Sequence, residues 1–224
     1  MVDVRLLAQQ ESVTRVTDGA NIRWRSLRDG TGLVLPWYQA LVFEGRVFGA
    51  HAGSITTGIA GHAAADADQP EMAVRVPDGT EALPLLLRAE TQSYETTLGI
   101  HGLMFAVSNI DVGNGTSTAA GEVLNLRLDA PVSVASTVRH TYSGNGTDPL
   151  TAGNFLELGR EAGNFDSDPA TSGIRGLTLE LSANRMVMPT VVDAGSILGY
   201  GEGGTTANFF FHMIWAEFTE GVLT

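Results

Sequence analysis

The stretch Asn208-Phe-Phe-Phe-His-Met-Ile-Trp-Ala-Glu-Phe218 decides the fold. Side chains alternate across a β-strand. Phe209, Phe211, Met213 and Trp215 therefore share one face, and Phe210, His212, Ile214, Ala216 and Phe218 share the other. Both rows are apolar, whereas a strand with one wet face alternates apolar with polar. Burying an aromatic side chain is worth roughly 1.5–3 kcal/mol, so leaving a whole row in water is costly. The strand reads as covered on both faces, by its own chain or by another copy, within a β-sandwich that oligomerises. Phe209, Phe210, Phe211, His212, Met213, Ile214, Trp215 and Phe218 are its predicted core or subunit interface.

Period-two patterns recur outward from there. Met72-Ala-Val-Arg-Val76 alternates and ends at the turn signal Pro77-Asp78-Gly79. Residues 83–89, 98–107, 177–181, 186–192 and 197–200 read as further strands, as does Trp37-Tyr-Gln-Ala-Leu-Val-Phe43 behind Pro36. In Val123-Leu-Asn-Leu-Arg-Leu-Asp129 the pattern predicts Leu124, Leu126 and Leu128 inside, and Asn125, Arg127 and Asp129 outside. About ten to twelve short strands without helical periodicity between them predict an all-β antiparallel sandwich or barrel. No proline- or serine-rich linker divides the chain, so residues 21–224 are expected to form a single β domain behind an N-terminal arm or first strand at 1–20.

Residues 141–176 stand apart. They are rich in glycine and asparagine, and Ala-Gly-Asn-Phe occurs at 152–155 and again at 162–165. A long connection of this kind is usually functional or mobile. The reading is a surface excursion, with Asn145, Asn154, Phe155, Asn164 and Phe165 offered to a neighbouring protein.

Composition narrows the partners. The net charge is −12, and all 13 basic residues are arginine. Nucleic-acid backbones and anionic membranes attract basic proteins, so neither is an expected partner. Cysteine is absent, which removes disulfides and thiolate chemistry. No apolar run approaches the ~18 residues of a membrane span. The first residues lack the basic start and apolar core of a signal peptide, so synthesis in a cytoplasm is expected.

No motif identifies a reaction. Gly195-Ser-Ile-Leu-Gly199 departs from the nucleophile-elbow pattern, and the absence of lysine excludes Schiff-base chemistry. His51 and His62 share a polar stretch with Asp66 and Asp68, residue types that suit zinc, but a solvated loop is the first reading. Asp111-Val-Gly-Asn-Gly-Thr116 and Gly144-Asn-Gly-Thr147 read as turns before they read as calcium loops. His212 on its apolar strand reads as a core histidine or as a pH-sensitive interface contact. No enzyme activity, cofactor or metal is expected.

The end of the chain carries a resemblance. Val191-Val-Asp-Ala-Gly-Ser-Ile-Leu-Gly-Tyr200, the turn Gly203-Gly-Thr-Thr206 and the strand from Asn208 to Glu217 resemble the final hairpin of tumour-necrosis-factor-like trimeric jelly rolls. They also resemble accessory virion proteins of tailed bacteriophages, with a closing Trp215-Ala-Glu217. Glu44-Gly-Arg-Val-Phe48 and Gln69-Pro-Glu-Met-Ala-Val-Arg-Val-Pro77 fit the same pattern. The resemblance implies a jelly-roll sandwich, a homotrimer, and a decoration, cement or vertex protein of the virion that contacts the major capsid protein. It brings no catalytic residues. A carbohydrate- or receptor-binding jelly roll is the alternative, with Trp37, Tyr38 or Tyr142 as sugar platforms.

Overall fold

The computed structural model describes residues 36–62, 69–93, 98–108, 123–129, 134–140, 142, 154–164, 176–180, 189–192, 194–202 and 207–221. Its elements in chain order are α1 (Trp37–Phe43), β1 (Val47–Ala52), β2 (Ile59–Ala60), β3 (Met72–Arg75), β4 (Thr80–Ser93), β5 (Leu98–Ser108), β6 (Leu124–Asn125), β7 (Thr137–His140), β8 (Asn154–Asn164), β9 (Gly176–Glu180), β10 (Val191–Val192), β11 (Ser196–Glu202) and β12 (Asn208–Thr219). All pairings between these strands are antiparallel.

Two sheets result. In the larger, β6, β1, β12 and β4 lie side by side, β9 and β10 pair with β4, and β2 pairs with β12. The smaller runs β7-β3-β11-β5-β8. Most successive long strands change sheets, from β3 to β4, β4 to β5, β8 to β9 and β11 to β12. This alternation builds both layers of an antiparallel sandwich together, so the expected all-β sandwich architecture holds.

The core forms where the inner faces meet. β12 contributes Phe209, Phe211, Met213 and Trp215, all essentially inaccessible, against Met72 and Val74 of β3, Met104 of β5 and Ile197 of β11. Space for the aromatic rings comes from β11. A Cβ at Gly199 would lie 2.9 Å from the Phe211 ring, and one at Gly201 would lie 2.7 Å from the Phe209 ring. A second buried cluster, Ala73, Phe105, Val107, Tyr142, Leu198 and Tyr200, lies on the opposite side of the smaller sheet. β11 is therefore buried on both faces, as its unbroken apolar run requires.

Several expectations are corrected. The segment Trp37–Phe43 is helical, not extended. Pro36 stands at its N-cap, where the missing N–H costs nothing. Leu41 and Val42 then pack against Val47, Ala216 and Phe218, a helical rather than a period-two contact set. The 123–129 pattern is inverted at its start. Only Leu124–Asn125 pairs as a strand, Asn125 is 4% exposed and Leu128 is 88% exposed. Asn125 is drawn inward by two hydrogen bonds: its Nδ2 donates to the Gly45 carbonyl at 2.7 Å, and its Oδ1 accepts from the Arg127 N–H at 2.9 Å. The strand–turn–strand from 191 to 217 is not a hairpin, because β11 and β12 belong to different sheets. Within the connection expected at 141–176, residues Asn154–Asn164 form β8, paired along β5. Gly159, Ala162 and Gly163 hide its alternation in the sequence.

Candidate functional site on the outer face of the larger sheet

The two rows of β12 meet different fates. The odd-numbered row is core. The even-numbered row faces away from the sandwich and is covered over only part of its length. At one end α1 shields it: Leu41, Val42, Leu126 and Ile214 pack around Ala216 and Phe218, and the Arg46 guanidinium lies 5.4 Å from the centre of the Phe218 ring. A register shift between Ile214 and Trp215 accompanies this change, and residues 215–218 are all buried. At the other end Phe210 is half-buried and His212 is exposed.

Register places His212 between a histidine and an arginine. His51 of β1 lies directly opposite it on one side, and Arg88 of β4 on the other. Arg88 is ion-paired to Glu90, two residues along the same face. Two hollows flank the histidine pair. One, of 430 Å³, is bounded by His51, Gly53, Ser54, Glu90, Phe210 and His212. The other, of 250 Å³, is bounded by Gly49, His51, Leu124, Leu126, Leu128 and His212. Leu124 and Leu128 border the smaller hollow and the fully exposed Ile55 the larger, among the polar Ser54, Arg88 and Glu90. Partial burial, then the nearby His51 and Arg88, push the His212 imidazole below its ordinary 6.5. His140 is likewise lowered, by burial and then by His51.

Three buried carboxylates serve the architecture instead. Glu217 accepts from the Ala135 and Ser136 N–H groups at 2.7 and 3.0 Å and from Trp215 Nε1 at 2.8 Å. It thereby ties the chain leading into β7 to β12, across the two sheets. Glu81 accepts the Gly221 N–H at 2.9 Å. Glu71 accepts the Gly201 N–H at 2.7 Å and meets His62 Nδ1 at 2.8 Å, while His62 Nε2 faces Gln69 Oε1 at 2.9 Å. Burial raises the Glu71 carboxyl above its ordinary 4.5, and the hydrogen bond from His62 pulls it back. A buried carboxylate is tolerable only when hydrogen-bonded in this way. Sequence reasoning missed these three glutamates and Asn125. For Glu217 the available signal was a lone polar residue that continues the apolar row 209–215, whereas the period-two pattern placed Asn125 outside and gave no such signal.

The residues weighed as zinc ligands are not brought together where they are described. His51 meets His212 and His62 meets Glu71, so the two histidines do not share a site. Asp66, Asp68, the 111–116 and 144–147 turns, Asn145, Phe165 and the arm at 1–20 lie outside the described residues. Asn154 and Asn164 bound β8. Phe155 of β8 is exposed and stands edge-on to Phe105, with ring centres 5.7 Å apart. Tyr142 is 2% exposed and offers no sugar platform. Trp37 remains half exposed, edge-on to Tyr38 at 6.0 Å. Among the described residues, no three histidine, aspartate or glutamate side chains converge as a metal cage.

No family model, curated protein or solved structure matches the chain.

Proposed function

We propose that this chain is a non-enzymatic structural protein of a virus particle, a decoration, cement or vertex protein that self-associates as a homotrimer and contacts the shell. One observation carries the self-association. The outer face of the larger sheet is half covered by α1 and otherwise carries Phe210, Leu124, Leu128 and Ile55 around the histidine pair. Exposed apolar side chains gathered on one face suit a protein–protein contact. The virion setting and the trimer follow from the resemblance of the closing strands, and the net charge of −12 favours a solvated outer surface. Light scattering should return three times the 23.6 kDa chain mass, and Leu124→Asp with Leu128→Asp should give a folded, smaller species. A wild-type mass of one chain at micromolar concentration overturns the assembly. Shells built from the major capsid protein of the same genome should retain it, and a genome that encodes no capsid protein, or shells that bind none, overturn the particle role.

A second reading, a carbohydrate- or receptor-binding module, draws on the exposed Trp37 with Tyr38 beside it. Aromatic faces of this kind serve as apolar platforms with a polar edge. Binding on a glycan array that Trp37→Ala abolishes would favour it over the structural role.

A further inference from the structure

We propose that His51 and His212 form a two-imidazole binding site for a divalent transition-metal ion on the outer face of the larger sheet. Directly opposed residues on antiparallel strands place their Cβ atoms about 4.5–5.5 Å apart. His51 and His212 are such a pair, and both leave the sheet on its solvent side. Nitrogen ligands at about 2.0–2.1 Å from a tetrahedral ion lie about 3.3 Å from each other, within reach of two rings on that spacing.

The surroundings leave room for such an ion. Gly49 precedes His51 by two on the same face, and the His212 Nε2 lies 3.9 Å from where a Gly49 Cβ would stand. The ring of His212 thus leans over β1, towards the strand that carries His51. Both histidines border both hollows, so coordination positions not filled by the chain are open to water. Glu90 borders the larger hollow and holds Arg88 in an ion pair, which reduces the repulsion an incoming cation meets from that side. Metal ligation needs neutral imidazole. Imidazole pairs suit copper(II), nickel(II) and zinc(II), with copper(II) the tightest of the series. Both ligands belong to one chain, so the ligand pair is complete in a single copy, and the titration is repeated on the Leu124→Asp/Leu128→Asp species, in which no second copy covers this face.

Copper(II) and zinc(II) are the probes. Titration of the chelator-treated full chain at neutral pH should show a site that raises the melting temperature, with the copper(II) electron-paramagnetic-resonance spectrum split by two equatorial nitrogens. His51→Gln and His212→Gln should each weaken that site about 100-fold, the loss expected when one of two linked ligands is removed. Both residues are exposed, so each variant should fold, and circular dichroism of the metal-free proteins checks this. An unchanged affinity and unchanged nitrogen splitting in the His51→Gln/His212→Gln double variant overturn the proposal, as does a wild-type chain with no metal-dependent shift. Because the readout is ion binding, it fails or succeeds whatever the measured oligomeric mass.

Discussion

Glu217 shows how one polar atom set holds two elements together. Its carboxylate accepts three hydrogen bonds, from Trp215 Nε1 and from the Ala135 and Ser136 N–H groups, inside a strand of otherwise apolar neighbours. Glu217→Ala removes the acceptor and orphans three donors. A buried unsatisfied donor costs about 1–3 kcal/mol, so the variant should lose at least ~3 kcal/mol in urea unfolding, with Glu217→Gln losing less. A loss below ~1 kcal/mol would mean that water reaches those donors. Sequence reading offered both rows of β12 as core or subunit interface without choosing between them, and the structure makes 209–215 the core row. That reading could not find Glu217's role, because two of its three donors are backbone groups more than eighty residues away.

Local elements were legible where one periodicity dominated and misread where hydrogen bonds competed with it. β3, β5, β11 and β12 follow their patterns. The α1 segment carries seven residues with mixed apolar spacing, too few for period alone to separate helix from strand, and Pro36 decided in favour of a helix start. At 124–128 the leucine pattern points inward, yet Asn125 is the buried residue because Gly45 and Arg127 backbone groups claim its amide. Stability measurements separate these readings directly. Leu128→Ala should change stability by less than about 0.5 kcal/mol, as at any exposed position. Asn125→Ala should lose about 1–3 kcal/mol, because it leaves the Gly45 carbonyl and the Arg127 N–H without that partner. The opposite ranking would restore the leucines to the core. In the core itself, Gly201→Ala drives a methyl against the Phe209 ring and should cost about 1–3 kcal/mol.

The whole molecule couples its strands through charge at the histidine face. His212 faces His51 from β1 and Arg88 and Glu90 from β4, and His51 also acts on His140 at the end of β7. Protonating His212 adds a positive charge beside the Arg88 guanidinium. Burial comes first among the causes that lower its folded pKa, and His51 and Arg88 act in the same direction. A folded pKa below the unfolded 6.5 means that the unfolded chain binds the proton more readily. The stability linked to His212 is therefore complete above the unfolded value and is lost as pH falls from there through the lower folded value. His140 carries the same sign, so both losses accumulate in one window. In chelator-treated buffer the melting temperature should drop between about pH 7 and pH 5, through that window. His212→Gln should flatten the drop and His212→Gln/His140→Gln should flatten it further, while all three proteins unfold alike near neutrality. If the histidine face also joins subunits, the oligomer should dissociate over the same interval, visible as a falling mass in light scattering. Superimposable pH profiles for the wild type and both variants would remove the histidine face as the source of acid sensitivity.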